Sequence, residues 1–346
     1  MKPLAGVALT LILAACSSGP SETDVVSAMA DDALVPAIHS AAGAAEELST
    51  AATEFCRTPS AAGLEAVQES WRRAKSAWER SELTTFFGPA DMLRSISKVD
   101  YAPVIEASID ELLSSDVAID ADYIDNRAAS TQRGLGAIEY ATFRELDAAA
   151  DARVCSLATS ASDVVAAETR ALEEAWTVSS DGGDPYVEAF TGTMTSNQAM
   201  GDVIGAVVET LKRQSLFELG EALGISAPDP EIEAVPEGAA GEATAGYIAQ
   251  LEGIRDVLAA GDTDSLGSLI RARSEEVADR IEELLDDSLA RLAALQGPMR
   301  DLIGESPDQV EAIYDNLAGL RTLFESDVVS LLDITLGFSD TDGDSG

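Results

Sequence analysis

Along most of this chain, apolar residues recur at three- and four-residue spacing, the period of an α-helix with one buried face. The period holds over residues 24–55, with an interruption expected at Pro36. Thr58 and Pro59 then signal a new start, and the pattern runs over 60–87 until Gly88-Pro89 stops it. Trp71 and Trp78 lie seven apart in that segment, so they share a face and are expected in the core. Shorter pieces follow over 91–120, broken near Pro103, and a helix is expected over 122–130. Longer helices are predicted over 148–176, 186–223, 242–260, 264–295 and from Ser306-Pro307 to about residue 336. Asp181-Gly-Gly-Asp-Pro185 reads as a turn, and 224–241, with Pro228, Pro230 and Pro236, as a loop or linker. No segment shows the two-residue alternation of a strand. The pattern predicts an all-α fold of packed helical bundles.

One stretch breaks the monotony: Thr131-Gln-Arg-Gly-Leu-Gly-Ala-Ile-Glu-Tyr-Ala-Thr-Phe143. Gly134 and Gly136 permit a tight turn or a close neighbour. Gly136 and Glu139, three apart, share a helix face, and Ile138, Tyr140 and Phe143 supply apolar anchoring. Read alone, this is a tight helix entry, and its plainest meaning is a close helix–helix contact beside an exposed Glu. A weak echo, Asp122-Tyr-Ile124 against Gly246-Tyr-Ile248, suggests two related helical halves. The corresponding division is 24–223, the loop 224–241, and 242–346.

Composition sharpens this picture. Of 346 residues, 46% are hydrophobic but only 5% aromatic, which favours helix over sheet in a chain long enough for a large core. The 62 acids against 22 bases give a net charge of −40 and a pI near 4.1. Such a field repels phosphate backbones, so a nucleic-acid partner is not expected. A solvated acidic surface explains the charge more simply than a dedicated cation store.

Residues 1–16 read as a removable leader: Lys2, an apolar run from Leu4 to Leu13, then Leu13-Ala-Ala-Cys16. The run is too short for a permanent span. Small residues before Cys16 resemble the lipobox of a bacterial lipoprotein, which implies cleavage there, a lipid on Cys16 and a tether over 17–23. Ser17 lacks the acid associated with inner-membrane retention. The expected location is therefore the cell envelope, anchored in the outer membrane and facing the periplasm. In that oxidising compartment Cys56 and Cys155 are expected to pair, the alternative being two separate buried thiols. Closing a loop of about 100 residues would stabilise by about 4.7 kcal/mol on the chain-entropy model.

The catalytic inventory is small. His39 is the single histidine, so a His-Glu-x-x-His zinc site cannot form. A lone helical His is most simply a surface or satisfied core residue, with a metal ligand as the alternative. Nucleophile elbows and phosphate loops are absent. Carboxylates alone suit a hard cation, but Asp340-Thr-Asp-Gly-Asp344 lacks the distal Glu of a calcium loop. The acids of Ser274-Glu-Glu-Val-Ala-Asp-Arg-Ile-Glu-Glu-Leu-Leu-Asp-Asp287 are most simply a solvated helix face.

Several stretches, in order, resemble the imelysin family of insulin-cleaving-peptidase-like bacterial proteins. They are Phe55-Cys-x-x-Pro59, Ser70-Trp71 with Trp78, Phe87-Gly-Pro89, the glycine stretch, Val154-Cys-Ser-Leu-Ala158, Lys212 through Gly224, and Leu336-Gly-Phe-Ser-Asp-Thr-Asp-Gly-Asp344. The resemblance covers the chain from about Pro36 onward. It implies an all-helical envelope protein of two related bundle halves, tied to iron uptake or regulation in many members and to peptidase activity in some. The family signature Gly-x-His-x-x-Glu maps onto Gly134, Gly136 and Glu139, with Gly136 in place of the histidine. The expectation is a non-catalytic lipoprotein for iron- or ligand-related uptake. Its ligand site would lie at Gly134, Gly136 and Glu139, with Glu139 as a ligand to iron or another divalent cation. Its partners would be the membrane, a metal ion or other ligand, and uptake-system proteins. A metallopeptidase rebuilt on His39 or carboxylates, and a protein-interaction module without a small ligand, stand as alternatives.

Overall fold

The computed structural model describes residues 19–88, 96–101, 104–144, 152–179 and 184–336. The leader with Cys16 and the tail Asp340–Asp344 lie outside the described residues, as do Pro103 and residues 181–183 of the predicted turn. The described residues contain no strand. Among the described residues, eight helices of ten residues or more form the frame. They are α1 (Val35–Arg57), α2 (Ala61–Arg80), α3 (Gly134–Phe143), α4 (Ala152–Thr177), α5 (Ser196–Lys212), α6 (Ala243–Ala259), α7 (Glu275–Ala294) and α8 (Pro307–Thr322). None is long and apolar enough to cross a membrane.

The first four pack as a bundle, with α1 between α2 and α4 and the short α3 laid across α2 and α4. In the second group α6 packs on α7, α7 on α8, and α8 on α5. One continuous apolar core, from Val25 to Ile334, runs through both groups. Trp71 and Trp78 belong to it, at 1% and 5% exposure. Cys56, at the end of α1, and Cys155, in the first turn of α4, have Cα atoms 5.3 Å apart and are joined as a disulfide.

Helix boundaries follow hydrogen bonds that periodicity alone does not reveal. Pro36 does not end the first helical region: Leu34 and Val35 before it are already helical, and the chain runs on as α1. The irregularity lies before it, in a π-helical turn at Met29–Leu34. The segment predicted over 264–295 is split at Ser274, whose hydroxyl accepts from the Val277 N–H and caps α7. Arg271 spans that corner to Asp279 and Glu282, at 2.5 and 2.8 Å. Residues 186–223 are likewise interrupted, at extended Met194 and Thr195, where the Thr195 hydroxyl caps α5. Residues 60–87 end as an α-helix at Arg80, followed by a 3₁₀ turn at Glu82–Thr85.

The two groups meet where α2 crosses α6. A Cβ on Gly253 would stand 2.4 Å from the Arg80 carbonyl oxygen, so only glycine permits the approach. Arg80 then clamps the Asp256 carboxylate with two N–H groups at 2.6 and 2.9 Å and reaches Glu252 at 2.9 Å. Gly253→Ala is expected to destabilise by about 1–3 kcal/mol through overpacking, read as a lower urea midpoint. Gly43→Ala, where nothing lies within 4 Å of the added Cβ, is expected instead to stabilise by about 1 kcal/mol through helix propensity.

Candidate functional site

Trp71 places α3. Its indole N–H donates to the Leu135 carbonyl at 2.9 Å, and the Gln68 amide donates to the Thr142 carbonyl at 2.7 Å, pinning both ends of α3 to α2. Gly134 takes φ +75°, and a Cβ there would lie 2.6 Å from the Val99 carbonyl oxygen. At Gly136 a Cβ would meet Val104 Cγ2 at 2.3 Å. The position matching the signature histidine is therefore occupied by a neighbour's methyl group as well as lacking an imidazole.

Glu139 is buried, contrary to the plain reading of an exposed acid. Its Oε1 accepts from the Ala240 N–H at 2.8 Å. A Cβ on Gly238 would lie 2.3 Å from both carboxylate oxygens, so the glycine is what lets the loop close over the acid. Burial pushes the Glu139 carboxyl up to about 6, against the pull of the Ala240 N–H and Lys75. The stretch read as a linker thus forms one wall of the site. It is held there by Glu237, whose two oxygens accept from the Met299 and Arg300 N–H groups at 3.0 and 2.8 Å.

Glu139 lines a cleft of about 580 Å³. Nine carboxylates and three cations line it among the described residues. At its centre the Lys75 ammonium sits 2.6 Å from Glu79 and 2.5 Å from Asp100. Burial disfavours its charge, but the two carboxylates outweigh that and raise Lys75 above its ordinary range. Glu79 is lowered because Lys75 and Arg213 overcome its burial, whereas burial leaves Asp100 raised. Gln250 donates to Glu79 and receives from Gln214, tying α6 to the network. Beyond it, Arg213 donates to Glu82 and, at 2.8 Å, to Glu218. Glu82 is pushed up to about 8: burial dominates, Arg213 opposes it, and Glu79 and Glu218 add to it.

The structure therefore brings Gly136 and Glu139 to the cleft and sets Gly134 at the turn that aims α3. It does not bring His39 there. The His39 side chain is 77% exposed, with Nδ1 2.5 Å from Glu173 on α4. Among the described residues no three His, Cys, Asp or Glu side chains are grouped to hold a metal. The order of residues alone does not mark out Lys75, Glu79, Glu82, Asp100, Arg213 and Glu218. One signal did exist: Lys75, one of four lysines in the chain, lies on the face shared by Trp71 and Trp78.

The raised Glu82 carboxyl has a consequence for stability. A folded-state value above the ordinary 4.5 means the contribution is fully present below about 4.5 and is lost as pH rises through about 8. Glu82→Gln, which keeps the shape of the protonated acid, removes that loss. The variant's melting temperature relative to the parent is expected to rise steadily between pH 5 and pH 8, measured by circular dichroism; a constant difference would contradict the buried, raised acid.

The comparisons with known proteins agree with this architecture. An imelysin-like protein from Psychrobacter arcticum 273-4 superposes with a TM-score of 0.76 at 21% identity, covering 92% of this chain and 99% of that one. A candidate iron-regulated protein A precursor from Parabacteroides distasonis gives the same TM-score at 18% identity, covering 92% and 97%. Iron-regulated protein A of Synechococcus elongatus is 33% identical over 87 residues, a match spanning 25% of this chain and 24% of that relative. The model of the Imelysin peptidase family matches residues 34–326, from the start of α1 through the turn after α8 and across the whole Glu139 cleft. The chain belongs to the imelysin family.

Proposed function

We propose that this chain is a lipid-anchored, periplasm-facing binding protein of the cell envelope that serves iron-related uptake without peptidase chemistry. The observation that carries the reading is the cleft itself: about 580 Å³, already shaped and lined by many charged side chains, with Glu139 buried in its wall and no imidazole at Gly136. Hydrolysis of a peptide requires an activated water and a group to position it, commonly a metal held by imidazole and carboxylate. The donor set among the described residues does not fit such a centre, since no three ligating side chains converge there and Val104 fills the histidine's place. The name of the Synechococcus relative supports the iron connection, and the Leu13-Ala-Ala-Cys16 sequence supports the anchor. Burial of Glu139 favours a small-ligand site over a surface used only for protein contacts.

Protein lacking residues 1–16, which keeps every described residue, tests the reading by calorimetric titration with Fe²⁺, Fe³⁺ and Zn²⁺. Binding tighter than millimolar is expected for iron, weakened about tenfold or more by Glu139→Ala. The absence of any such binding would remove the iron role. Hydrolysis of a protein substrate that disappears in Glu139→Ala would overturn the non-catalytic part. Incorporation of labelled fatty acid in cells, abolished by Cys16→Ser, checks the anchor.

A further inference from the structure

The N-terminal strap, Gly19 through the short helix Glu22–Ala28, is packed at one end of the second helical group. A Cβ on Gly19 would lie 2.9 Å from the Ala272 Cβ, and Glu22 meets Arg273 at 3.6 Å, just before α7 begins. The Thr23 hydroxyl lies 3.3 Å from that of Ser196, the first residue of α5. The strap therefore sits beside the starts of both α5 and α7. Each of these helices leads from there to the cleft. At 1.5 Å of rise per residue, the 17 residues of α5 carry the chain about 25 Å, to Arg213 in the cleft lining. The 20 residues of α7 span about 30 Å and hand over to Met299 and Arg300, whose N–H groups hold Glu237 in the cleft wall. Two independent rulers place the strap and the cleft at opposite ends of the second group.

That placement matters because the tether is short. Three residues lead from Cys16 to Gly19, a reach of about 10 Å fully extended. With a lipid on Cys16, the bilayer surface passes within about that distance of the strap. The strap end is polar: Asp24, Asp262, Asp264, Glu275 and Glu276 are exposed there. Among the described residues, none of the exposed large apolar side chains belongs to the strap or to residues 260–280. Nothing at this end inserts into hydrocarbon, so the lipid alone holds it. The tether permits two poses, upright on the strap end or lying along the bilayer. A chain of −40 net charge is repelled by anionic headgroups, and presenting only one end keeps most of that charge at a distance. We propose that the chain stands upright, its strap end against the lipid headgroups and its cleft at the far end, about 25 Å further from the membrane. The cleft then exchanges its ligand with water and not with the bilayer, which suits its charged lining and assigns it a water-soluble ligand.

The proposal rests on the anchor at Cys16, but not on iron as the cargo. Its test uses the full chain, processed in cells and placed on vesicles of phosphatidylethanolamine and phosphatidylglycerol with an energy acceptor on some headgroups. A donor dye is attached in turn through Glu276→Cys at the start of α7, Ala294→Cys at its end, and Ala239→Cys in the cleft lining, all exposed positions. Transfer to the lipid is expected to be several times more efficient from position 276 than from 294 or 239. Quenching of the dye at 239 by acrylamide, a water-soluble probe, should be the same on vesicles as in solution. Equal transfer from all three positions, stronger transfer from 239, or protection of 239 from acrylamide would overturn the upright pose while leaving the anchor in place. The two failures are distinguishable, because the anchor is read separately. Cys16→Ser should release the chain from vesicles, and a chain that stays off vesicles with Cys16 intact would remove the anchor and this proposal with it.

Discussion

The Lys75 ammonium, shared between Glu79 and Asp100, is the contact on which the interior of this protein turns. Removing a charge from water costs several kcal/mol, and only close pairing with further hydrogen bonds recovers it. Each member of the network therefore constrains the next. Glu79 needs Gln250, which fixes α6 against α2; Gln250 needs Gln214, which brings in the segment after α5. Asp100 draws in the chain after Ile96–Val99, which in turn supports Gly134 and so the entry to α3. Helices distant in sequence are registered by partner requirements that apolar packing alone, which is non-directional, would not impose.

The π-helical turn at Arg213–Leu219 is the device that completes the network. In an α-helix, residues five apart point about 140° away from one another, at 3.6 residues per turn. A π-turn closes hydrogen bonds between residues five apart and so stacks them on one side. That places Arg213 and Glu218 together, at 2.8 Å, with both facing the cleft. The same turn leaves Phe217 pointing outward, 51% exposed. A regular helix through this segment would separate Glu218 from the guanidinium and leave that carboxylate buried without its cation, while Arg213 kept only Glu82.

This explains what could be read from the sequence and what could not. The helical period, the glycine stretch, the tryptophan face and the pairing of Cys56 with Cys155 depend on local spacing or on compartment, and each is visible in the order of residues. The breaks at Ser274 and Met194 depend on whether a side chain caps a new helix or continues the old one, and a hydroxyl in an amphipathic run permits both. The polar network was hidden for a different reason. Lys75 and Asp100, or Glu79 and Gln250, are ordinary polar residues until the fold buries them together. For Arg213 and Glu218 the α-period misdirects, because their alignment exists only at the π pitch. Likewise the glycine at 136 signalled a missing imidazole, but only the structure shows Val104 in its place, so restoring a histidine there would require moving the neighbour as well.

The charge arrangement also limits what the cleft is suited to hold. Each cation in its lining is already committed to a carboxylate within 4.0 Å, so none is free to greet an anion. The unmet capacity lies on the other side, in a buried Glu139 carboxylate held by a single backbone N–H. A site built this way rewards donors, not acceptors. Overall charge points the same way, since a −40 chain concentrates cations near every surface while only a desolvated, oriented pair of oxygens selects among them. Discrimination then comes from the number and spacing of hydrogen-bond donors on the ligand, a property of shape that bulk charge cannot supply.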